Sequence, residues 1–287
     1  MANILMRKSA LQLKSQLRLF SSKSSRYAAQ VNKLGVIGAG QMGMGIALVA
    51  AQRAGRISQE QADKARSLLT SSTSIENLSE VDFVIEAVPE MPQLKFDIFK
   101  QLAEICPKHA ILATNTSSIS ITKIAAATTK DPKDTSVSSR VVSTHFMNPV
   151  PVQKGVEIIS GLQTSAETLN TAVEFCKAMG KIPSVSADAP GFLANRILMP
   201  YINEAVICLE TGVGDRDSID AIMKNGTNVP MGPLQLADFI GLDTCLAIMK
   251  VLHQETGDSK YRPSVLLGKM VDAGWLGKKR GKGFYDY

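Results

Sequence analysis

The stretch that most constrains this chain is Lys33 to Gln52, KLGVIGAGQMGMGIALVAAQ. Leu34 to Ile37 is a short apolar run of the kind that forms a buried strand, and an apolar helical pattern begins just beyond it. Between them Gly38, Gly40 and Gly43 spell G-x-G-x-x-G. The first glycine permits the tight turn off the strand, the second lets backbone approach a pyrophosphate, and the third lets helix pack close to strand. The helix then turns its partly positive N-terminus toward the phosphates. A tight strand–helix turn without a ligand uses the same residues. The strand before and the helix after are the context a dinucleotide site demands, and they favour that reading.

Further along, apolar runs and helical patterns alternate. VDFVIEAVPE (81–90) predicts a buried strand, 92–105 a helix with Leu94, Ile98, Phe99 and Leu102 on one face, and 110–113 a strand ending in TNTSS. A helix follows over 119–127, then a strand over 141–146 ending at His145 and Asn148 of HFMNP. Next come a strand over 156–159 holding Glu157, a helix over 168–179 and a short strand over 183–185. Alternation stops near Asp188. From Pro190 the pattern is helical: 190–212, kinked by Pro200, then 217–224, 234–239, 243–255 and 265–272. One part is missing from this order. A dinucleotide fold continues into a second strand with an acidic residue about 20 residues past the glycines. Here Arg53 to Glu80 holds no strand-type run, and RISQEQADKARSLL reads as a helix capped by Ser58, which argues against Glu60 or Asp63 as the ribose ligand.

Composition narrows the function classes. The chain has 287 residues, enough for about two domains. It is 45% hydrophobic and 20% charged, an ordinary globular balance. The net charge of +6 lies entirely in residues 1–30, which carry Arg7, Lys8, Lys14, Arg18, Lys23 and Arg26 and no acid. The remainder sums to zero, so the charge does not point to nucleic acid. That basic, serine-rich leader has the composition of a mitochondrial transit peptide, with a disordered tail as the alternative, and the expected location is the mitochondrial matrix. No stretch reaches the roughly 18 apolar residues of a membrane span. Cys106, Cys176, Cys208 and Cys245 are isolated and read as reduced thiols, with no metal site expected.

Two polar residues stand out among the strands. His145 lies at the carboxyl end of its strand, where doubly wound sheets place ligand-facing groups. Glu157, twelve residues on, sits among Val156, Ile158 and Ile159. A carboxylate there is costly to bury unless paired, and an imidazole is a suitable partner. The alternative is a solvent-facing Glu on an edge strand.

Together these stretches resemble the L-3-hydroxyacyl-CoA dehydrogenase family, 3-hydroxybutyryl-CoA dehydrogenases included. The resemblance rests on VIGAGQMGMGIA, DFVIEAVPE, ATNTSSISIT, HFMNPVP followed by VEII, DAPGFLANRILMPYINEA, PMGPLQLADFIGLD and GKKRGKGFYDY, and covers nearly everything from residue 33 to 287. It implies an NAD-dependent enzyme acting on acyl-CoA in fatty-acid β-oxidation. His145 matches the general base that takes the 3-hydroxyl proton, and Glu157 the carboxylate that orients it. Ser117 matches a hydroxyl on the substrate oxygen, and Asn195 an amide that holds the reacting carbonyl. Gly38, Gly40, Gly43, Glu90, Lys95, Asn115 and Asn148 match cofactor- or site-lining positions. A near-neutral His is a suitable acceptor for an alcohol proton.

The expected architecture is α/β: a Rossmann-type, mostly parallel sheet over 31–188 lacking its second strand, and an all-α domain over 189–287 that mediates a homodimer. Relatives pass from the first helix into the ribose-binding strand and a long helical excursion that contacts coenzyme A. Here roughly forty residues are absent after Gln52, more than one βα unit loses silently. Two alternatives therefore stand beside the enzyme: a catalytically impaired relative serving as a dimerising or binding module, and a sister dehydrogenase for another hydroxy acid.

Overall fold

A computed structural model describes residues 31–52 and 69–287. The leader and the helix expected around Glu60 and Asp63 lie outside the described residues. Six strands form one sheet in the order β1 (Leu34–Ile37), β2 (Phe83–Glu86), β3 (Ile111–Thr114), β4 (Val141–Phe146), β5 (Gly155–Ser160), β6 (Ile182–Ala187). All neighbours are parallel except β4 and β5, which run antiparallel. Among the described residues no strand falls between β1 and β2 in sequence, and β1 forms a margin of the sheet.

Helices cover both faces, which is why the central strands β2, β3 and β4 are buried at every position rather than on alternate ones. Phe83, Ile85, Ala113 and Val142 join Ile46 of α1 (Gln41–Gln52) and Ala172 and Cys176 of α4 (Ala166–Ala178) in one core. Val84, Leu112, Val141 and Ile159 point the other way, onto Phe99 and Leu102 of α2 (Pro92–Ile105) and Ile121 and Ile124 of α3 (Ile121–Ala126). Local chemistry sets the helix starts: Pro92 sits in the first turn of α2, and the Ser120 and Ser165 side chains accept from Lys123 N and Thr168 N.

The second core belongs to α5 (Ala194–Glu210), α6 (Arg216–Gly226), α7 (Pro233–Ile240), α8 (Leu242–Thr256) and α9 (Val265–Asp272). The expected helix at Pro190 begins four residues late. Gly191 and Phe192 adopt positive φ, +73° and +50°, which an α-helix does not admit. The tail is pinned by buried Asp238, which accepts from Phe284 N, Tyr285 N and the Tyr287 hydroxyl. All four cysteines are free, with Cys208 half-buried and the others buried. Among the described residues no helix is long and apolar enough to cross a membrane.

Candidate active site

The antiparallel register of β4 and β5 places His145 directly opposite Glu157. Cross-strand partners share one face of a sheet, so the two side chains meet without help from any loop. His145 Nδ1 lies 3.0 Å from Glu157 Oε2, and both residues are buried. β5 is an interior strand, which rules out a solvent-facing Glu157. Burial disfavours the ionised carboxyl. The bond from His145 and the N–H groups of Ala194 and Leu193 outweigh it, and the pKa lies below the ordinary value. An ionised carboxylate only accepts, so Nδ1 carries the proton, and it is the neutral ring that has a lone pair at Nε2. Nε2 faces Ser117 Oγ at 3.1 Å.

Ser117 is held by the loop after β3. Glu90 Oε1 accepts from Thr116 Oγ1, Ser117 N, Ser118 N and Ser118 Oγ at 2.5–3.1 Å. Burial raises the Glu90 pKa, but these donors and the Lys95 charge together hold it below its usual value. Lys95 Nζ sits 3.3 Å from Glu90 and 2.7 Å from Glu86 Oε1. The Lys95 side chain is 1% exposed and Glu86 is 0% exposed, so this is an internal ion pair rather than a lysine presented to the cleft. Glu86 also accepts from Val88 N and Thr114 Oγ1. Neither Glu86 nor Thr116 was singled out in the sequence. The available signal was an acid ending an apolar strand with a lysine nine residues later.

Asn195 comes from the first turn of α5, and its Nδ2 reaches Ser117 O at 3.4 Å. Thus His145, Glu157, Ser117 and Asn195 converge from two strands, a loop and a helix start. Asn115 Oδ1 accepts from Phe146 N, tying β3 to the end of β4. Asn148 Oδ1 accepts from Gln41 Nε2 at 3.2 Å, linking the turn after β4 to the glycine loop.

The three glycines differ in what surrounds them. A side chain at Gly38 would meet Ala87 O at 2.5 Å, and one at Gly43 would overlap Gly38 O. At Gly40 nothing among the described residues lies within 4 Å. Two glycines therefore close the turn, and the third borders open space at the start of α1, where a helix presents unpaired N–H groups to an anion. This end of the site fits a pyrophosphate. The ribose end lies outside the described residues. Among the described residues no cluster of His, Cys, Asp or Glu is placed to hold a metal ion.

The profile of the 3-hydroxyacyl-CoA dehydrogenase NAD-binding domain matches residues 50–189, and that of the C-terminal domain matches 191–287. A probable 3-hydroxybutyryl-CoA dehydrogenase of Deinococcus radiodurans is 48% identical over 89% of this chain and 100% of its own length. A 3-hydroxybutyryl-CoA dehydrogenase of Bradyrhizobium diazoefficiens is 45% identical over 91% of this chain and 97% of its own. The crystal structure of (S)-3-hydroxybutyryl-CoA dehydrogenase PaaH1 from Ralstonia eutropha superposes with a TM-score of 0.84 at 41% identity, covering 90% and 99% of the two chains. These full-length relatives are bacterial and overturn the expected mitochondrial matrix location, because bacteria have no such compartment. The chain belongs to the 3-hydroxyacyl-CoA dehydrogenase family of NAD-dependent oxidoreductases.

Proposed function

We propose that this chain oxidises an L-3-hydroxyacyl-CoA to the 3-oxoacyl-CoA, as in fatty-acid β-oxidation, with a His–Glu pair as its proton machinery. The observation that carries this reading is the imidazole fixed by Glu157 at Nδ1 and open toward Ser117 at Nε2. NAD bound at the glycine loop would supply the acceptor for the hydride that leaves C3. Nε2 takes the hydroxyl proton, and Glu157 stabilises the imidazolium that results. Ser117 Oγ, 3.1 Å from Nε2, would share the substrate oxygen with the imidazole, and Asn195, whose Nδ2 reaches Ser117 O, would add an amide donor beside them. Gly38, Gly40 and Gly43 would hold the pyrophosphate, with Asn115, Asn148 and Glu90 shaping the cleft around it and Lys95 bracing Glu90 from the interior. In this reading residues 31–188 bind the cofactor and 189–287 complete the substrate site. NADH oxidation with 3-oxobutyryl-CoA tests it. His145→Gln should lower turnover by about 10² to 10⁴ and leave NADH binding nearly unchanged. Near-normal turnover of that variant removes His145 from its role.

The impaired-module reading is favoured by one observation: among the described residues β1 lies at a margin of the sheet, as expected if the second strand of this architecture has been lost. Measurable turnover by the unaltered chain excludes it.

We also propose a homodimer through the helical part. A largely apolar groove of about 590 Å³ between α5 and α6 is lined by Tyr201, Ala205, Cys208, Ile219, Ile222 and Met223. Ile222 is 66% and Val213 77% exposed there, apolar surface that a second copy would cover. Light scattering at micromolar concentration should give about twice the chain mass. A monomer mass rules the dimer out.

A further inference from the structure

Phe192 is out of place twice. It follows the last strand by five residues and precedes α5, yet it is 3% exposed and packs in the core beneath the sheet with residues of α2 and α3. Its φ is +50°, a region that bulky side chains rarely adopt. A conformation of this kind persists only where the surroundings impose it, and such residues gather at functional sites.

The surroundings show what is gained. The Phe192 ring lies 6.2 Å from the His145 ring, centroid to centroid, at 63°, an edge contact on the imidazole. Phe192 N donates to Ala189 O at 2.8 Å, closing a turn over residues 189–192. Gly191, at φ +73°, has Leu252 Cδ2 and Arg196 N so close that a side chain would strike both. Two successive positive-φ residues reverse the chain, and the next two N–H groups, of Leu193 and Ala194, then point back at the sheet. Both donate to Glu157 Oε1, at 2.8 and 2.9 Å. α5 has no side-chain cap of its own. The carboxylate that fixes His145 through Oε2 caps α5 through Oε1, and the next residue after those N–H groups is Asn195.

We infer that Phe192 is a positioning residue for the dehydrogenase site: its ring seats the His145 imidazole, and its left-handed backbone aims the Leu193 and Ala194 N–H groups at Glu157. The effect is to couple the histidine, its carboxylate and Asn195 into one rigid unit across the junction of sheet and helices. This rests on His145 being the base, as proposed above.

Phe192→Leu tests it, because leucine keeps apolar volume in the core but has no ring edge for the imidazole. The expected result is a melting midpoint within a few degrees of the unaltered protein, unchanged NADH affinity, and turnover lower by roughly 10- to 100-fold, the scale of a slightly misplaced reacting group. KM for the acyl-CoA should move less than kcat. Phe192→Tyr retains the ring and should recover most of the turnover. If Phe192→Leu fails to fold, Phe192→Met carries the same comparison. Normal kcat in the leucine or methionine variant overturns the inference, as does a loss of turnover that only tracks a loss of folded protein. His145→Gln, run in parallel, separates the two claims: an active His145→Gln removes the base assignment, whereas an inactive one beside a fully active Phe192→Leu removes only the role of Phe192.

Discussion

The carboxyl end of the sheet has two halves of different construction. On the β4–β5 side the polar groups are already paired: Glu157 holds His145 and two backbone N–H groups, and Glu90 holds the Ser117 loop. On the β1 side, among the described residues, the glycine loop borders open space at Gly40 and β1 ends the sheet. The contacts of the first half are made by the chain's own groups, so the His145–Glu157–Ser117 geometry is a property of the fold. The residues that follow α1, which in this architecture lead to the ribose end of a dinucleotide site, lie outside the described residues.

The largest test of the organised half is its buried ion pair. Lys95→Met leaves Glu86 without its cation at a fully buried position, and removing one partner of such a pair costs about 3–5 kcal/mol. Urea unfolding should show that loss together with slower turnover, since Glu90 loses its cation as well. The exposed pair Lys33–Glu80, at 60% and 77% side-chain exposure, is the control. Lys33→Met should leave the unfolding midpoint where it is, because exposed pairs are screened by water and salt. Equal effects at the two sites would mean that the buried network does not hold the loop.

Much of this organisation was legible in the sequence. Short apolar runs such as Leu34–Ile37 and Phe83–Glu86 fit strands by their length and flanking turns, and the glycine spacing located the turn between β1 and α1. His145 and Glu157 were visible as polar residues in apolar runs, although their antiparallel register was not, because register is set by partners rather than by either strand. The Glu86–Lys95 pair escaped notice for a related reason: a strand-end acid looks alike whether it meets a ligand or a buried lysine. The start of α5 was misplaced because Pro190 and Gly191 resemble a helix opening. Tertiary packing of Phe192 instead holds the chain in a turn, and the helix starts at Ala194.

The glycines sharpen the comparison on the other half. Gly43→Ala pushes a methyl group into the Gly38 carbonyl, backbone that has no rotamer to escape through. It should cost about 1–3 kcal/mol of stability with or without cofactor. Gly40→Ala meets nothing within 4 Å among the described residues, so its stability should stay within about 0.5 kcal/mol. Its NADH affinity should nevertheless fall, since the methyl group then occupies space that a pyrophosphate approaches. Thermal melts with and without NADH separate the cases. A Gly40→Ala protein that binds NADH as well as the unaltered chain would show that the pyrophosphate does not come to this loop.

The smallest expected effect appears only in acid, and it returns to the organised half. The folded-state pKa of Glu157 lies below its ordinary value, because His145 and the N–H groups of Ala194 and Leu193 outweigh the cost of burial. A depressed carboxyl contributes stability that is fully present above the unfolded value of about 4.3 and disappears as pH falls through the folded one. Glu157→Gln keeps an oxygen for the two N–H groups but has no proton to gain. Between about pH 5 and pH 3 the unaltered protein should therefore lose stability more steeply than the variant, and the gap between them should close. Chemical denaturation at fixed pH steps measures this directly. Parallel curves would mean that Glu157 titrates as it does in the unfolded chain, and that the contacts at its two oxygens do not favour the charged form.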